Sequence, residues 1–213
     1  MSTRLRALIL CAMLAIAAGA FAQINIVNFD FGAVTIACPN GYAYQAPLAA
    51  CPYTGPTQNF DQSPGFGWVL GGMISPLAGV RLPYGGSGLT GPNTVFYPPS
   101  FSGLPFTQAV FLQDTGTFVW QQINGFSAGT YTLSFYLGSR FIDCCGYDGN
   151  QTVVALIDGN VIGSWAMSSY TPFILRTVNF TVSSGSHALQ FMGTRPGDHT
   201  AFLSYVVISP ADR

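Results

Sequence analysis

The chain contains no lysine and no glutamate, and this absence limits its possible folds more than any motif does. Both residues are among the best at stabilising a solvated helix. Glycine, serine, threonine, aromatic and β-branched residues take their place, and this composition is typical of strands joined by tight turns. A disordered chain would not carry so many aromatic and β-branched residues. We therefore expect an all-β protein.

Nine segments alternate between apolar and polar residues or run apolar between turn residues, so each is a predicted strand. They are residues 24–29, 107–113, 117–123, 130–137, 151–158, 161–167, 174–182, 187–193 and 201–208. Asp158-Gly159 separates two of them and is a strong hairpin signal. Regular short spacing of this kind predicts an antiparallel β-sandwich of two sheets.

Within 130–137, alternation separates two sets of side chains. The set predicted to face the core is Tyr131, Leu133, Phe135 and Leu137. The set predicted to face solvent or a partner sheet is Thr132, Ser134 and Tyr136.

Between residues 33 and 106 the apolar periodicity weakens, and glycine, proline, tyrosine and serine become dense. A structureless loop of that length is unusual in a compact domain, so we predict a short strand at 66–70. The tract 82–105 is predicted to be a long surface loop. A linker to a second domain is the alternative, although the segment before it is too small to fold alone.

Residues 1–22 have the layout of a secretory signal peptide: Arg4 and Arg6, an apolar run, and the small-x-small ending Ala20-Phe21-Ala22. No later window has the roughly 20 apolar residues that a spanning helix needs. We expect residues 23–213 to form one domain that is secreted to the extracellular space or the periplasm. Its five arginines and eight aspartates give no excess of positive charge to attract nucleic acid.

The second half of the chain resembles a known family. The residues that carry the resemblance are "AVFLQDTGTFVWQQINGFSAGTYTLSFYLGSR" (109–140), "GYDGNQTVVALIDGNVIGSW" (146–165), "FTVSSGSHALQFMG" (180–193) and "HTAFLSYVVIS" (199–209). In order and spacing they resemble the galactose-binding-domain-like jelly rolls of exported bacterial proteins, and they are similar to the related DUF642-type plant cell-wall proteins. The resemblance implies a jelly-roll β-sandwich that acts mainly as a carbohydrate-binding module or as a cell-surface or matrix component.

The resemblance also implies roles for single residues. It matches to the family pattern Gln113, Gln121, Arg140, Gly149, Asn150 and Gln151. Ser204 stands where relatives often have an aspartate that helps to hold a structural calcium, which leaves Asp30 as a weak calcium candidate. No other cofactor is expected. The final "SPADR" lacks the sorting tail of many relatives, so we expect a protein that is released or is held by binding alone.

Export would place four cysteines in an oxidising compartment, where disulfides form: Cys38, Cys51, Cys144 and Cys145. Three pairings are possible, and we favour the one that joins Cys38 to Cys51 and leaves the adjacent cysteines to each other. A zinc site formed by Cys144, Cys145 and His199 lacks the usual paired spacing. A redox switch lacks a CxxC motif.

Catalytic interpretations find less support in the sequence. Glycoside hydrolysis needs two acids about 5 to 9.5 Å apart, and the close pair is Asp143 with Asp148, both in a predicted turn. The chain has no GxSxG motif for a serine nucleophile, and we predict that His187 and His199 are surface residues. We therefore expect a protein that is not an enzyme, with a glycoside hydrolase as the third alternative.

The loop after 130–137 supplies the predicted carbohydrate site, because sugars bind to a flat aromatic face with a few fixed polar groups around it. Its candidate residues are Arg140, Tyr147, Asp148, Asn150 and Gln151, together with Tyr97 as the exposed aromatic residue. Alternatively, Arg140 and Gln151 pair with each other or with the backbone and hold the loop. Trp68 and Trp165 are predicted to lie in the core, and Trp120 could face either way.

The sequence thus predicts a secreted, non-catalytic module that binds carbohydrate or a cell-wall polymer, without a nucleic-acid partner and without membrane insertion. The alternative from another class is a structural or adhesive extracellular protein, at a surface or in a matrix, with no site for a small ligand.

Overall fold

The computed structural model describes residues 24–34, 36, 41–44, 65–72, 86–92, 94, 97–141 and 147–211. The predicted signal peptide, all four cysteines of the expected mature chain and Asp143 lie outside these residues, so export and disulfide pairing stay predictions. The described residues form strands and turns without a helix, and hence without a helix long and apolar enough to cross a membrane.

Eleven strands form in the described part of the chain. They are β1 Tyr42–Tyr44, β2 Val69–Gly71, β3 Gly86–Thr90, β4 Ala109–Gln113, β5 Phe118–Phe126, β6 Gly129–Ser139, β7 Thr152–Ile157, β8 Asn160–Ala166, β9 Ile174–Val182, β10 Gly185–Gly193 and β11 Thr200–Pro210. One sheet has six strands in the order β1-β3-β4-β11-β6-β9, and the other has five in the order β2-β5-β10-β7-β8. Every strand pairing is antiparallel. The predicted antiparallel β-sandwich is confirmed.

The core lies between the two sheets, and β6 shows how the sequence builds it. Its alternate residues from Tyr131 to Leu137 are buried, whereas the intervening side chains point to the outer face of the sheet, as predicted. Phe135 of β6 meets Phe191 of β10 with ring centroids 4.9 Å apart, so the core joins the two sheets.

A second apolar cluster covers the outer face of the six-stranded sheet. Phe101 and Phe106 come from the segment before β4, and their rings pack edge-to-face on Phe173 at 5.1 and 5.2 Å. Phe111 and Phe202 complete the cluster from within the sheet. This packing fixes the segment that begins at Tyr97 against the sheet.

Two predictions of secondary structure are wrong. Residues 24–29 form no strand, and at Val27 a side chain takes the place of a strand partner: the amide group of Gln121 pairs with both N and O of Val27 at 2.9 Å. Within the predicted loop 82–105, residues 86–90 form the buried strand β3. A Cβ at Gly88 would lie 2.1 Å from the carbonyl oxygen of Ala43, so glycine permits the close approach of β1.

The strand registers bring the connections to two opposite ends of the sandwich. We call one the loop end; it carries the connections 114–117, 140–151, 167–173 and 194–199. The other is the turn end, with short turns at 127–128, 158–159 and 183–184. The loop end therefore carries most of the chain that is free to vary around the scaffold.

Candidate functional site

Gln151 holds the loop end together from a completely buried position. Its Oε1 accepts hydrogen bonds from the backbone N–H groups of Thr194 and Arg195 at 3.1 and 2.8 Å. Its Nε2 lies 2.9 Å from the carbonyl oxygen of His199 and 3.3 Å from that of Asp114. One side chain thus ties three connections together, which favours the loop-holding alternative over ligand contact.

Arg140 also lies inside the loop end and is only 6% exposed. Its Nη1 is 3.1 Å from Oδ1 of Asp198, an oxygen that also accepts a hydrogen bond from Gln113. The guanidinium carbon lies 5.4 Å from the ring centroid of Tyr147. Arg140 therefore links three parts of the loop end and fixes the half-buried Tyr147 above it.

Asp148 and Asn150 form a turn that is joined to the neighbouring connection. Oδ1 of Asp148 accepts from the backbone N–H of Asn150 at 2.8 Å, and Oδ1 of Asn150 accepts from the backbone N–H of Ser169 at 3.0 Å. A Cβ at Gly149 would lie 2.5 Å from the carbonyl oxygen of Arg140, so this turn lies directly on the end of β6. The predicted polar group is therefore brought together, but most of it binds to itself.

Asp148 is also paired with His199, whose Nδ1 hydrogen-bonds to Oδ1 of the carboxylate. Burial alone would raise the pKa of Asp148, but hydrogen bonds from the Asn150 backbone and from His199 outweigh it and lower the pKa. An ionised carboxylate can only accept, so Nδ1 carries the hydrogen. The pair leaves Nε2 of His199 without a hydrogen-bond partner among the described residues.

Three aromatic side chains stand exposed at the loop end; we call them the aromatic patch. They are Tyr97 at 51%, Phe141 at 46% and Tyr170 at 60% exposure. The rings of Phe141 and Tyr170 are 5.1 Å apart and perpendicular. The N–H of Phe141 donates to the carbonyl oxygen of Tyr97 at 3.2 Å, and the N–H of Tyr170 donates to that of Arg140 at 2.8 Å. Backbone bonds thus hold three distant parts of the sequence together.

Two residues of the aromatic patch have a left-handed backbone, with φ of 45° at Tyr97 and 57° at Tyr170. This region is unfavourable for a bulky residue and costs about 1–3 kcal/mol where the surrounding structure enforces it. Glycine would adopt the same conformation without that cost. The backbone conformation at both positions favours glycine, so the presence of tyrosine is explained by its ring and not by its backbone.

The other aromatic and histidine predictions have mixed outcomes. Trp68 is buried and its Nε1 donates to the carbonyl oxygen of Asn28 at 3.0 Å, and Tyr97 is exposed, both as predicted. Trp165 is half-buried and packs on Phe135 at 4.9 Å. The prediction of a surface position is wrong for His187, which is 8% exposed because Asp158 and Ser183 both bind its ring.

The residues around Asp30 do not fit a calcium site. The Ser204 hydroxyl lies 3.2 Å from the carbonyl oxygen of Asp30 and 2.8 Å from that of Gln108, and the Gln108 side chain donates to the carbonyl oxygens of Phe31 and Val34. These donors already occupy the oxygens that a cation would need. In the described part of the chain no group of three His, Cys, Asp or Glu side chains could hold a metal ion.

Sequence reasoning missed two members of the aromatic patch and the partner of Arg140. Phe141 and Tyr170 are 29 positions apart, and no local pattern predicts that they meet. Their aromatic character in connections between strands was the available signal, but buried residues such as Phe173 also lie in connections. Asp198 carried no comparable signal.

Comparison with known proteins shows the fold. No family model matches the chain, and a search of curated proteins finds no match. The structure is similar to a Stig cyclase, Fisc, from Fischerella sp. TAU, with a TM-score of 0.57 and 16% identity over 89% of this chain and 98% of that one. A second cyclase from the same organism gives 0.55 and 16% over 90% and 99%.

Carbohydrate-binding modules are also among the structural neighbours. CBM6cm-2 from the Cellvibrio mixtus lichenase 5A, solved with cellotriose, matches with a TM-score of 0.40 and 16% identity over 54% of this chain and 86% of the module. The structural neighbours thus include carbohydrate-binding modules, while the link to DUF642-type proteins stays a prediction.

The cyclase matches correct one expectation. The sequence predicted a protein that is not an enzyme, and that prediction is contradicted: the two cyclases, which are matched over nearly their whole length, are enzymes. A sandwich of this kind accommodates catalysis as well as binding, so the chemistry must be argued from the site.

Proposed function

We propose that this protein is exported and binds carbohydrate through the aromatic patch at its loop end. The observation that carries the proposal is the patch itself: Tyr97, Phe141 and Tyr170 are exposed and held together by backbone bonds. A cluster of exposed aromatic side chains in an otherwise well-packed protein marks a binding surface.

The chemistry of the patch suits a sugar. The face of an aromatic ring is electron-rich, and a pyranose presents a face of polarised C–H groups that packs against it. The perpendicular Phe141 and Tyr170 rings offer one face and one edge, which form a corner rather than a flat platform. The tyrosine hydroxyls donate and accept hydrogen bonds, and they add contacts to sugar hydroxyls.

The backbone strain at Tyr97 and Tyr170 supports the same proposal. Residues in unfavourable backbone regions are concentrated at functional sites, where the structure holds a side chain in place at a cost in stability. The buried network of Arg140 and Gln151 supplies the rigid base beneath the patch. In this account those two residues position the site, and the ligand contacts the rings.

The proposal is tested by affinity electrophoresis of the full chain in gels that contain hydroxyethylcellulose, xylan or galactan. We expect at least one polymer to retard the protein. The variants Phe141→Ala and Tyr170→Gly should lose at least about tenfold in affinity, since 1.4 kcal/mol corresponds to tenfold and one aromatic contact contributes about that much.

Phe29→Ala is the matched control, because Phe29 is an exposed aromatic residue outside the loop end. It should bind like the unaltered protein. Migration unaffected by every polymer, or full retardation of both patch variants, would overturn the proposal.

A planar aromatic ligand is the competing occupant. The cyclases of this fold were solved with indole-bearing molecules, one of them 4-(1H-indol-3-yl)butan-2-one. That compound is therefore the second arm of the test. If it binds to the aromatic patch while no polysaccharide does, the site is one for aromatic molecules and the carbohydrate proposal fails.

A further inference from the structure

The loop end carries a histidine that is fixed at one nitrogen and open at the other. Nδ1 of His199 binds Asp148, and Nε2 has no hydrogen-bond partner within the described ranges. The side chain of His199 is 20% exposed and that of Asp148 is 13% exposed, so both are mostly covered and solvent reaches part of each. In the neutral ring Nδ1 carries the hydrogen, and Nε2 therefore presents a lone pair to the solvent.

Further contacts fix this arrangement. The backbone N–H of Asn150 binds the same carboxylate oxygen as His199, and the Asn150 amide binds the other oxygen, so the carboxylate cannot rotate away. A Cβ at Gly197 would lie 3.2 Å from Nε2, so glycine at this position keeps the approach to that nitrogen open. A histidine oriented by a carboxylate, with its second nitrogen open, is the arrangement that general-base catalysis requires.

The Asp148–His199 pair, which we call the dyad, lies at the same end of the sandwich as the aromatic patch. His199 directly precedes Thr200, whose carbonyl oxygen accepts a hydrogen bond from the N–H of Arg140 at 3.1 Å. Phe141, the next residue, belongs to the aromatic patch. The backbone segments that carry His199 and Phe141 are therefore neighbours at the loop end.

Other reactions fit this dyad less well. A glycosidase needs two free carboxyl groups on opposite sides of the bond, whereas among the described residues Asp148 is paired with His199 and Asp198 with Arg140. A single base that is open to solvent is suited to activate a water molecule for attack on a carbonyl carbon.

We propose that Asp148 and His199 form a general acid–base dyad that hydrolyses an acyl ester on a molecule bound at the loop end. Nε2 takes a proton from water as the water oxygen bonds to the ester carbonyl carbon, and Asp148 stabilises the resulting imidazolium. The bond from that carbon to the alkoxy oxygen then breaks, and the imidazolium returns its proton to the leaving oxygen. The products are a carboxylic acid and an alcohol.

The test uses p-nitrophenyl acetate and the full chain, with release of p-nitrophenolate as the readout. General acid–base catalysis contributes about 10²–10⁴-fold, so His199→Gln should lower kcat/KM by about 100-fold or more. His199→Ala should regain activity when imidazole is added, which a purely structural role would not produce. Asp148→Asn should lower kcat and leave KM nearly unchanged, because Asp148 positions and stabilises the base without contacting the ester.

His187→Ala is the matched control, since the chain has two histidines and His187 lies at the turn end. It should retain the unaltered rate. An equal rate in His199→Gln and the unaltered protein, or an equal loss in His187→Ala, would overturn the proposal. NMR of the imidazole nitrogens in the unaltered protein adds a readout without substitution: Nδ1 of His199 should carry the hydrogen at neutral pH, and a hydrogen on Nε2 alone would contradict the dyad.

This proposal does not depend on carbohydrate binding. p-Nitrophenyl acetate reports hydrolysis without a sugar, and the polysaccharide gels report binding without hydrolysis. Failure of one proposal is therefore distinguishable from failure of the other.

Discussion

The turn end and the loop end of the sandwich each carry an aspartate–histidine pair, and the two pairs differ in what they leave open. At the turn end, both nitrogens of His187 are engaged, by Asp158 at 2.6 Å and by the Ser183 carbonyl oxygen at 3.1 Å. At the loop end, Nε2 of His199 has no hydrogen-bond partner in the described part of the chain. Because both partners of the His187 ring are acceptors, both of its nitrogens carry a hydrogen. The turn-end pair therefore has no nitrogen available to accept a proton, whereas the loop-end pair can exchange one through Nε2 of His199.

The same contrast holds for the chain around each pair. The turn end is made of short hairpin turns. The loop end is made of long connections that are held by buried polar side chains, above all Gln151. A site that needs several distant residues together therefore arises at the loop end, and substitutions there should have the larger effects.

The largest expected effect is on the free energy of unfolding when Gln151 is replaced. Gln151→Ala removes the acceptor of the Arg195 N–H and a donor to the carbonyl oxygens of His199 and Asp114. Each hydrogen bond lost at such a covered position costs about 1–3 kcal/mol, so we expect a loss of at least about 3 kcal/mol. Urea denaturation measures it. The matched control is Gln122→Ala on exposed β5 surface, which should change stability by less than about 0.5 kcal/mol. Equal effects of the two substitutions would contradict the role of Gln151.

The next largest effect is expected from two glycines, one at each end of the sandwich. Gly149→Ala drives a Cβ against the Arg140 backbone and should destabilise by about 1–3 kcal/mol. Gly159→Ala at the turn end meets no atom within 4 Å, and its φ of 80° leaves only backbone strain, worth about 1 kcal/mol. Thermal denaturation of both variants ranks them. A larger loss at Gly159 would show that the loop end is packed less tightly than described.

The aromatic patch should separate stability from binding. Tyr97→Gly and Tyr170→Gly remove a ring and also relieve a left-handed backbone, so stability should stay within about 1 kcal/mol of the unaltered protein or rise. Binding should still fall. Calorimetric melting together with the polysaccharide gels tests both statements. A stability loss above about 2 kcal/mol would mean that the tyrosines serve the fold.

The smallest effect is the pH dependence of the turn-end pair. The pKa of His187 is raised by its hydrogen bond to Asp158, although burial acts in the opposite direction. The contribution of this hydrogen bond to stability is therefore complete below about pH 6.5 and is lost as pH rises through the folded-state pKa. The pKa of Asp158 is lowered by its hydrogen bond to His187. The contribution of Asp158 to stability is therefore present above about pH 4 and is lost as pH falls through the folded-state pKa.

The turn-end pair should therefore stabilise most between about pH 4 and 6.5, by no more than about 1 kcal/mol because Asp158 is 45% exposed. Unfolding of His187→Ala and the unaltered protein across this range measures it. A difference that grows above pH 8 would contradict the assignment.

The sequence predicts well the features that depend on neighbours along the chain. The Asp158-Gly159 hairpin and the alternation of β6 both appear where expected, because turn chemistry and strand periodicity are local. The strand β3 was missed because its glycines and serine form a strand only by fitting closely between β1 and β4. Tertiary packing decides such a segment.

For the candidate site, the sequence grouped residues that the structure also brings together at the loop end, but it did not reveal how they are held. Arg140 and Gln151 were predicted as ligand contacts, with a loop-holding role as the alternative, and both are buried. Their partners lie up to 58 positions away, and no local pattern reveals them. The meeting of Phe141 with Tyr170 depends on the same long-range contacts.

The most direct test of the central claim is an NMR titration of isotope-labelled protein with a soluble polysaccharide that retards it in the gels. Binding at the aromatic patch predicts that the largest shifts fall on Tyr97, Phe141 and Tyr170 and decline toward the turn end. Shifts centred on the outer face of the six-stranded sheet, or no shifts at saturating polymer, would contradict the claim that the loop end is the binding surface.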